Sequence, residues 1–60
     1  MKIPNKPRPK DYEHVELILR EANAYGLQWE VDTLAKELIS KKPEINIVEA
    51  YLNAYGEWVK

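Results

Sequence analysis

Cysteine is absent from this chain of 60 residues, and it has no long apolar stretch. Without cysteine the protein has neither disulfide bonds nor thiolate ligands for a metal ion, which fits a reducing compartment. No apolar run reaches the length that a membrane span or a signal peptide needs. These absences predict a cytoplasmic protein that does not associate with membranes.

Residues that carry catalysis are also scarce. The chain has one histidine, one serine and one threonine, and its two glycines stand alone instead of forming a phosphate-binding loop. His14 lies near Asp11 and Glu13, which is more typical of a solvated helical turn than of an assembled general base. A single histidine cannot supply the repeated Glu-x-x-His pairs of a di-iron bundle. We therefore predict that the protein is not an enzyme and holds no metal ion or cofactor.

Proline and positive charge are concentrated in residues 1–10. Three of the four prolines lie there with four basic side chains and no acidic one, whereas residues 11–60 carry five basic and ten acidic side chains. Because proline lacks an amide donor and disfavours helix in the residue before it, we expect residues 1–10 to form an extended, proline-rich basic tail. Residues 11–60 are long enough for one domain with a small core, which a partner or self-association would help to stabilise.

Apolar residues recur every three or four positions in three segments, the pattern of amphipathic helices. We predict helices at about residues 12–25, 28–40 and 47–59. The first would begin after Asp11 as N-cap and end before Gly26, a residue suited to the left-handed turn that follows a helix. The predicted apolar stripes are Tyr12, Val15, Ile18, Leu19, Ala22 and Tyr25 in the first helix, Leu27, Val31, Leu34, Ala35, Leu38 and Ile39 in the second, and Ile47, Val48, Tyr51, Leu52, Ala54, Tyr55 and Trp58 in the third.

The sequence signals for the other helix ends differ in strength. Gln28 is a weak cap for the second helix, and Asp32 or Thr33 could cap a later start. The third helix has the clearest start, because Asn46 followed by Glu49 is close to a capping box. Gly56 could end the third helix early and leave the residues after it to fold back.

Short connections between helices favour antiparallel neighbours, so the sequence predicts an all-α, three-helix bundle. The end of the first helix, the start of the second and the end of the third would then share one pole. That topology brings together four aromatic residues, Tyr25, Trp29, Tyr55 and Trp58. Trp58 lies on its apolar stripe and could pack there as a satellite core, whereas Trp29 falls off its stripe and could face a partner.

These features predict a non-enzymatic module that binds a protein partner or associates with itself as a homo-oligomer. Tyrosine and tryptophan are enriched at protein interfaces because they combine a large apolar ring with a polar tip. The predicted partner-binding residues are the aromatic Trp29, Tyr55 and Trp58, with Lys6, Arg8 and Lys10 offering positive charge to an acidic partner.

The alternative is a small DNA-binding or transcription-regulating domain of helix-turn-helix type. The apolar spacing that such a motif requires occurs at Leu34, Ala35, Leu38, Ile45 and Val48. However, the outward face of the third helix would carry Glu49, Asn53 and Glu57, and carboxylates repel DNA phosphates. Nucleic acid is therefore the less favoured partner.

Two parts of the chain also resemble short proteins of tailed phages. The first is the run Ala-Tyr-Gly-Leu-Gln-Trp-Glu-Val at residues 24–31, and the second is Glu-Ala-Tyr at 49–51 with Ala-Tyr-Gly-Glu-Trp at 54–58. The resemblance covers roughly residues 20–58, and it departs at Gly56, where that group more often has a helix-favouring residue. It implies no activity. It implies a small phage protein that acts on a phage or host protein in the host cytoplasm.

Overall fold

The computed structural model describes residues 8–59 of the protein. Helix α1 spans Pro9–Ala24, α2 spans Gln28–Lys41 and α3 spans Ile47–Trp58. Helix accounts for 81% of the described residues, which include no strand. The predicted all-α, three-helix bundle is confirmed. The prediction of an extended tail falls mostly on residues 1–7, which lie outside the described residues.

Helix α1 begins three residues earlier than predicted. Arg8 is the N-cap, with extended backbone, and Pro9 takes the first helical position, where its missing N–H is not needed and its fixed φ suits the helix. Asp11 is not the N-cap, since it lies inside the first turn and its carboxylate accepts a hydrogen bond from the Arg8 backbone N–H at 3.1 Å. The assignment of Pro9 and Lys10 to an extended tail was therefore wrong.

Helix α1 ends in a Schellman motif around Gly26, as the sequence predicts. The Leu27 N–H donates to the Ala22 carbonyl and the Gly26 N–H donates to the Asn23 carbonyl, both at 2.9 Å. Gly26 has a φ of 73°, a conformation that glycine adopts without steric cost. Leu27 packs against the core directly after the turn, so the motif sets the direction in which α2 starts.

Helix α2 begins at Gln28, although its N-cap, Leu27, offers no side-chain hydrogen bond. The Leu27 carbonyl accepts the first helical bond from the Val31 N–H at 3.0 Å. Asp32 does not cap a later start, because it lies within the helix. The burial of Leu27 and Val31 against the core thus replaces a capping side chain at this end.

Helix α3 starts as the sequence predicts. The Asn46 Oδ1 atom accepts hydrogen bonds from the backbone N–H groups of Val48, at 2.9 Å, and Glu49, at 3.4 Å. The helix does not end early at Gly56, because it continues to Trp58. A glycine inside a helix costs only about 1 kcal/mol relative to alanine, which the packing of α3 on its neighbours offsets.

The core is thin and is built largely from small side chains. Four alanines have no exposed surface, and Val31 is the largest side chain that is fully buried. Alanine at the contacts lets helices approach closely, and all three pairs of helices touch, with the α2 and α3 pair the most extensive. The buried residues are Val15, Ile18, Ala22, Val31, Ala35, Ala50, Tyr51 and Ala54.

The apolar stripes predicted for α1 and α3 are too wide. Tyr12 and Tyr25, at the two ends of the α1 stripe, are 57% and 61% exposed, and Leu52 in α3 is 49% exposed. Helices that approach through alanine touch along a narrow strip, so large residues at the edges of a stripe remain in water. The predicted stripe of α2 is confirmed, since all six of its members are buried or pack against the core.

Candidate functional site

An open groove of about 650 Å³ lies between α2 and the end of α3. Trp29 and Trp58 both line it, and they are 74% and 47% exposed. We call this surface the tryptophan groove. The residues that line it are Trp29, Glu30, Thr33, Leu34, Glu37, Glu57 and Trp58.

The groove follows from helical spacing and from the topology of the bundle. Trp29, Thr33 and Glu37 are four residues apart and form one ridge along α2. Trp58 lies in the last turn of α3. Because consecutive helices run in opposite directions, this last turn of α3 lies beside the first turn of α2. The sequence prediction that these two tryptophans share a pole is thus in agreement with the structure.

The four aromatic residues predicted to meet at that pole divide into two pairs. Tyr55 does not line the tryptophan groove, because it faces α1 in a second, smaller groove that includes Leu17 and Glu21. Partial burial raises the pKa of Tyr55, and the nearby Tyr25 and Glu21 raise it further. Tyr25 therefore accompanies Tyr55 on the α1 side of the bundle, apart from the two tryptophans.

Negative charge surrounds the two indoles. Three of the seven residues that line the tryptophan groove are glutamates, Glu30, Glu37 and Glu57, and none of the seven is lysine or arginine. The groove therefore combines apolar rings with a negative potential. That combination suits a ligand that is both positively charged and partly apolar.

The predicted basic residues do not join the tryptophans. Arg8 and Lys10 are exposed at the start of α1, whereas the groove lies at the end of the bundle where α1 terminates. A helix of 16 residues separates the two regions, which is about 24 Å at 1.5 Å per residue. Lys6 lies outside the described residues. The five predicted contact residues that the structure describes thus do not form one surface.

A hydrogen-bonded group that the sequence analysis missed joins the two helices of the groove. The Tyr51 hydroxyl donates to the Asp32 Oδ1 atom at 2.6 Å, and the Lys36 Nζ atom lies 3.1 Å from the Asp32 Oδ2 atom. The hydrogen bond from Tyr51 lowers the pKa of Asp32 against the effect of burial, and Lys36 lowers it further. Burial raises the pKa of Tyr51 well above its usual value, and Asp32 adds to the rise. This group holds α2 and α3 in one register.

The sequence did contain a signal for the ion pair, because Asp32 and Lys36 are four residues apart on one helix. The hydrogen bond from Tyr51 to Asp32 depends on which turn of α3 faces Asp32. Periodicity places Tyr51 on the apolar face but does not give that register.

The described residues offer no arrangement for metal chemistry or for membrane insertion. Within residues 8–59, no group of three or more His, Asp or Glu side chains is placed to hold a metal ion. None of the three helices has both the length and the hydropathy that crossing a bilayer requires. His14 is exposed beside Leu17 and Glu21 in the smaller groove.

The helix that would read DNA is unsuited to that task. Between Ile47 and Trp58 the chain has no lysine or arginine. Glu49, Asn53 and Glu57 are exposed along this helix, as the sequence predicts. A recognition helix with two outward carboxylates and no cation would be repelled by the phosphates of both strands.

Comparison with models of known protein families, with curated proteins and with solved structures finds no match to this chain. The resemblance to short phage proteins stays a prediction from the residues that carry it.

Proposed function

We propose that the protein is a non-enzymatic interaction module that binds a protein partner through the tryptophan groove. The observation that supports this proposal is that Trp29 and Trp58, the only tryptophans of the chain, line one surface and are each about half exposed or more. Neither belongs to the buried core or to the partly buried residues packed against it. Tryptophan is among the residues that contribute most to binding free energy at protein interfaces.

The size of the domain supports the same proposal. A core in which four of eight buried residues are alanine removes little apolar surface from water, so apolar area remains for association. A partner that covers the two indoles would bury surface that the bundle leaves exposed. Its binding would also stabilise the folded chain by mass action.

The phage resemblance extends the proposal to the class of partner. A small phage protein with an interaction groove and no catalytic constellation would act by binding a phage or host protein in the host cytoplasm. Self-association through the same groove is the competing form of this function, and the experiment must distinguish the two.

The test compares the wild type with Trp29→Ala and with a matched control, Tyr12→Ala. Tyr12 is 57% exposed at the far end of the bundle, so its loss changes a similar ring without touching the groove. Light scattering of each pure protein measures self-association, and capture from a bacterial lysate measures partner binding. We expect Trp29→Ala to reduce association and Tyr12→Ala to leave it unchanged. If both variants associate as the wild type does, the groove is not the binding surface.

A further inference from the structure

We infer that the tryptophan groove binds an arginine-bearing segment of the partner protein. This inference rests on the proposed function, and it adds the chemistry of the ligand. Three observations carry it: the charge of the groove, the exposure of its two indoles, and the position of the basic residues at the start of α1.

Charge excludes an acidic ligand. Glu30, Glu37 and Glu57 line the groove, and no lysine or arginine among residues 8–59 lines it with them. An acidic segment would meet like charges there, while a cationic segment gains attraction from all three carboxylates. The basic residues Arg8 and Lys10, predicted to attract an acidic partner, lie at the other end of α1 and do not change the charge of the groove.

The two indoles select among cations. A cation above an indole face is attracted by the ring quadrupole, and tryptophan is the strongest of the aromatic residues in this respect. Arginine is favoured over lysine, because its planar guanidinium stacks on a ring and also donates two parallel hydrogen bonds to a carboxylate. The groove offers both features, since two indoles and three carboxylates line the same surface.

The described basic residues at the start of α1 are poor occupants. In the same molecule, Arg8 and Lys10 lie at the end of α1 that is remote from the groove, and the helix is about 24 Å long at 1.5 Å per residue. In a second copy, Arg8 and Lys10 would bring Asp11 and Glu13 with them. Those carboxylates would face the glutamates of the groove. A different protein supplies arginine without this repulsion.

Tryptophan fluorescence reports on the groove directly, because both tryptophans of the chain line it. The probe is a blocked synthetic heptapeptide in which two arginines alternate with glycine and serine. Its matched controls replace arginine with lysine or with citrulline, which has the shape of arginine without the charge. We expect saturable binding of the arginine peptide and weaker binding of the lysine peptide. The citrulline peptide should bind at least about tenfold more weakly than the arginine peptide.

Two further comparisons test the charge contribution. The double variant Glu37→Gln and Glu57→Gln should weaken arginine-peptide binding several-fold, whereas Glu49→Gln, which removes a carboxylate outside the groove, should not. Raising the salt concentration from about 0.05 M to about 0.5 M should also weaken binding to the wild type. Equal binding of the citrulline and arginine peptides, or no binding of either, would overturn the inference.

The remaining outcomes separate this inference from the proposed function. If a captured partner is lost in Trp29→Ala but kept in the double glutamine variant, the groove binds a partner through apolar contacts, and the arginine inference fails alone. If the wild type forms a dimer that Trp29→Ala dissociates, the occupant is a second copy, and the inference fails again. If capture is unchanged in Trp29→Ala, the proposed function itself fails.

Discussion

The Tyr51 hydroxyl donates a hydrogen bond of 2.6 Å to the Asp32 carboxylate, and this bond connects α3 to α2. Tyr51 is one of the eight buried residues, and Asp32 accepts the hydrogen bond of its hydroxyl. The hydrogen bond from Tyr51, and then the contact of Lys36 with the other carboxylate oxygen, lower the pKa of Asp32, so the acceptor stays ionised at neutral pH. The contact is therefore a charge-assisted hydrogen bond within the packed interface of the two helices that form the tryptophan groove.

We expect Tyr51→Phe to lower the free energy of unfolding by about 1–2 kcal/mol, because hydrogen bonds to charged groups contribute more than neutral ones. Urea denaturation followed by circular dichroism measures the change. Tyr55→Phe is the matched control, since it removes the hydroxyl of a partly buried tyrosine on the same helix and leaves the bond between Tyr51 and Asp32 in place. Equal losses in the two variants would show that the bond to Asp32 has no special contribution.

The same pair predicts a dependence on alkaline pH. The pKa of Tyr51 is raised in the folded protein, from an ordinary value of 10.0, first by burial and then by Asp32. The stability that comes from keeping Tyr51 neutral is fully present below pH 10.0 and is lost as the pH rises toward the higher pKa of the folded state.

The measurement compares wild type and Tyr51→Phe by urea denaturation at about pH 8 and about pH 11. The difference in unfolding free energy should shrink at the higher pH. Tyr12→Phe, which changes an exposed ring, should follow the wild type at both pH values. A constant difference between wild type and Tyr51→Phe would contradict the pKa shift.

A repeated tetrapeptide shows what local sequence does and does not determine. Asn-Ala-Tyr-Gly occurs at residues 23–26 and 53–56, yet Gly26 closes a Schellman turn and Gly56 lies inside α3. What differs is the residue that follows. Leu27 packs against the core and draws the chain back toward it, whereas the exposed Glu57 places no such demand. Helix ends therefore depend on tertiary packing as well as on local residues.

Opposite effects are expected when each of these glycines is replaced by alanine. At neither position would the added Cβ come within 4 Å of a heavy atom from a packed neighbour, so only backbone conformation and helix propensity differ. Gly26→Ala should destabilise by about 1 kcal/mol, because alanine resists a positive φ. Gly56→Ala should stabilise by roughly 0.5–1 kcal/mol, because alanine favours a helix interior. Thermal unfolding of both variants checks the signs, and two changes of the same sign would contradict the assigned backbone conformations.

Periodicity predicted the number of helices, their order and most of the core, because amphipathic spacing and short connections leave few ways to bury three stripes. It also predicted that Trp29 faces away from the core. It did not predict how narrow the contact would be, so Tyr12 and Tyr25 were assigned to a stripe although they are exposed. Nor did it separate Tyr55 from the tryptophans, since the rotation of α3 about its axis depends on close contacts between small residues.

Two neighbours on α2 provide the sharpest test of how the chain divides its apolar residues between folding and binding. Val31 is fully buried, while Trp29, two positions earlier, is 74% exposed. Although valine is the smaller side chain, we expect Val31→Ala to destabilise by about 2 kcal/mol, through lost burial and the cavity left behind. Trp29→Ala should change the free energy of unfolding by no more than about 0.5 kcal/mol.

Urea denaturation of both variants, with Tyr12→Ala as a second exposed ring, measures these changes. A loss in Trp29→Ala as large as that in Val31→Ala would place the indole in the core and remove the main support for the tryptophan groove as a binding surface. A small loss would mean that the largest apolar side chain of α2 is free for a partner, because folding uses almost none of its surface.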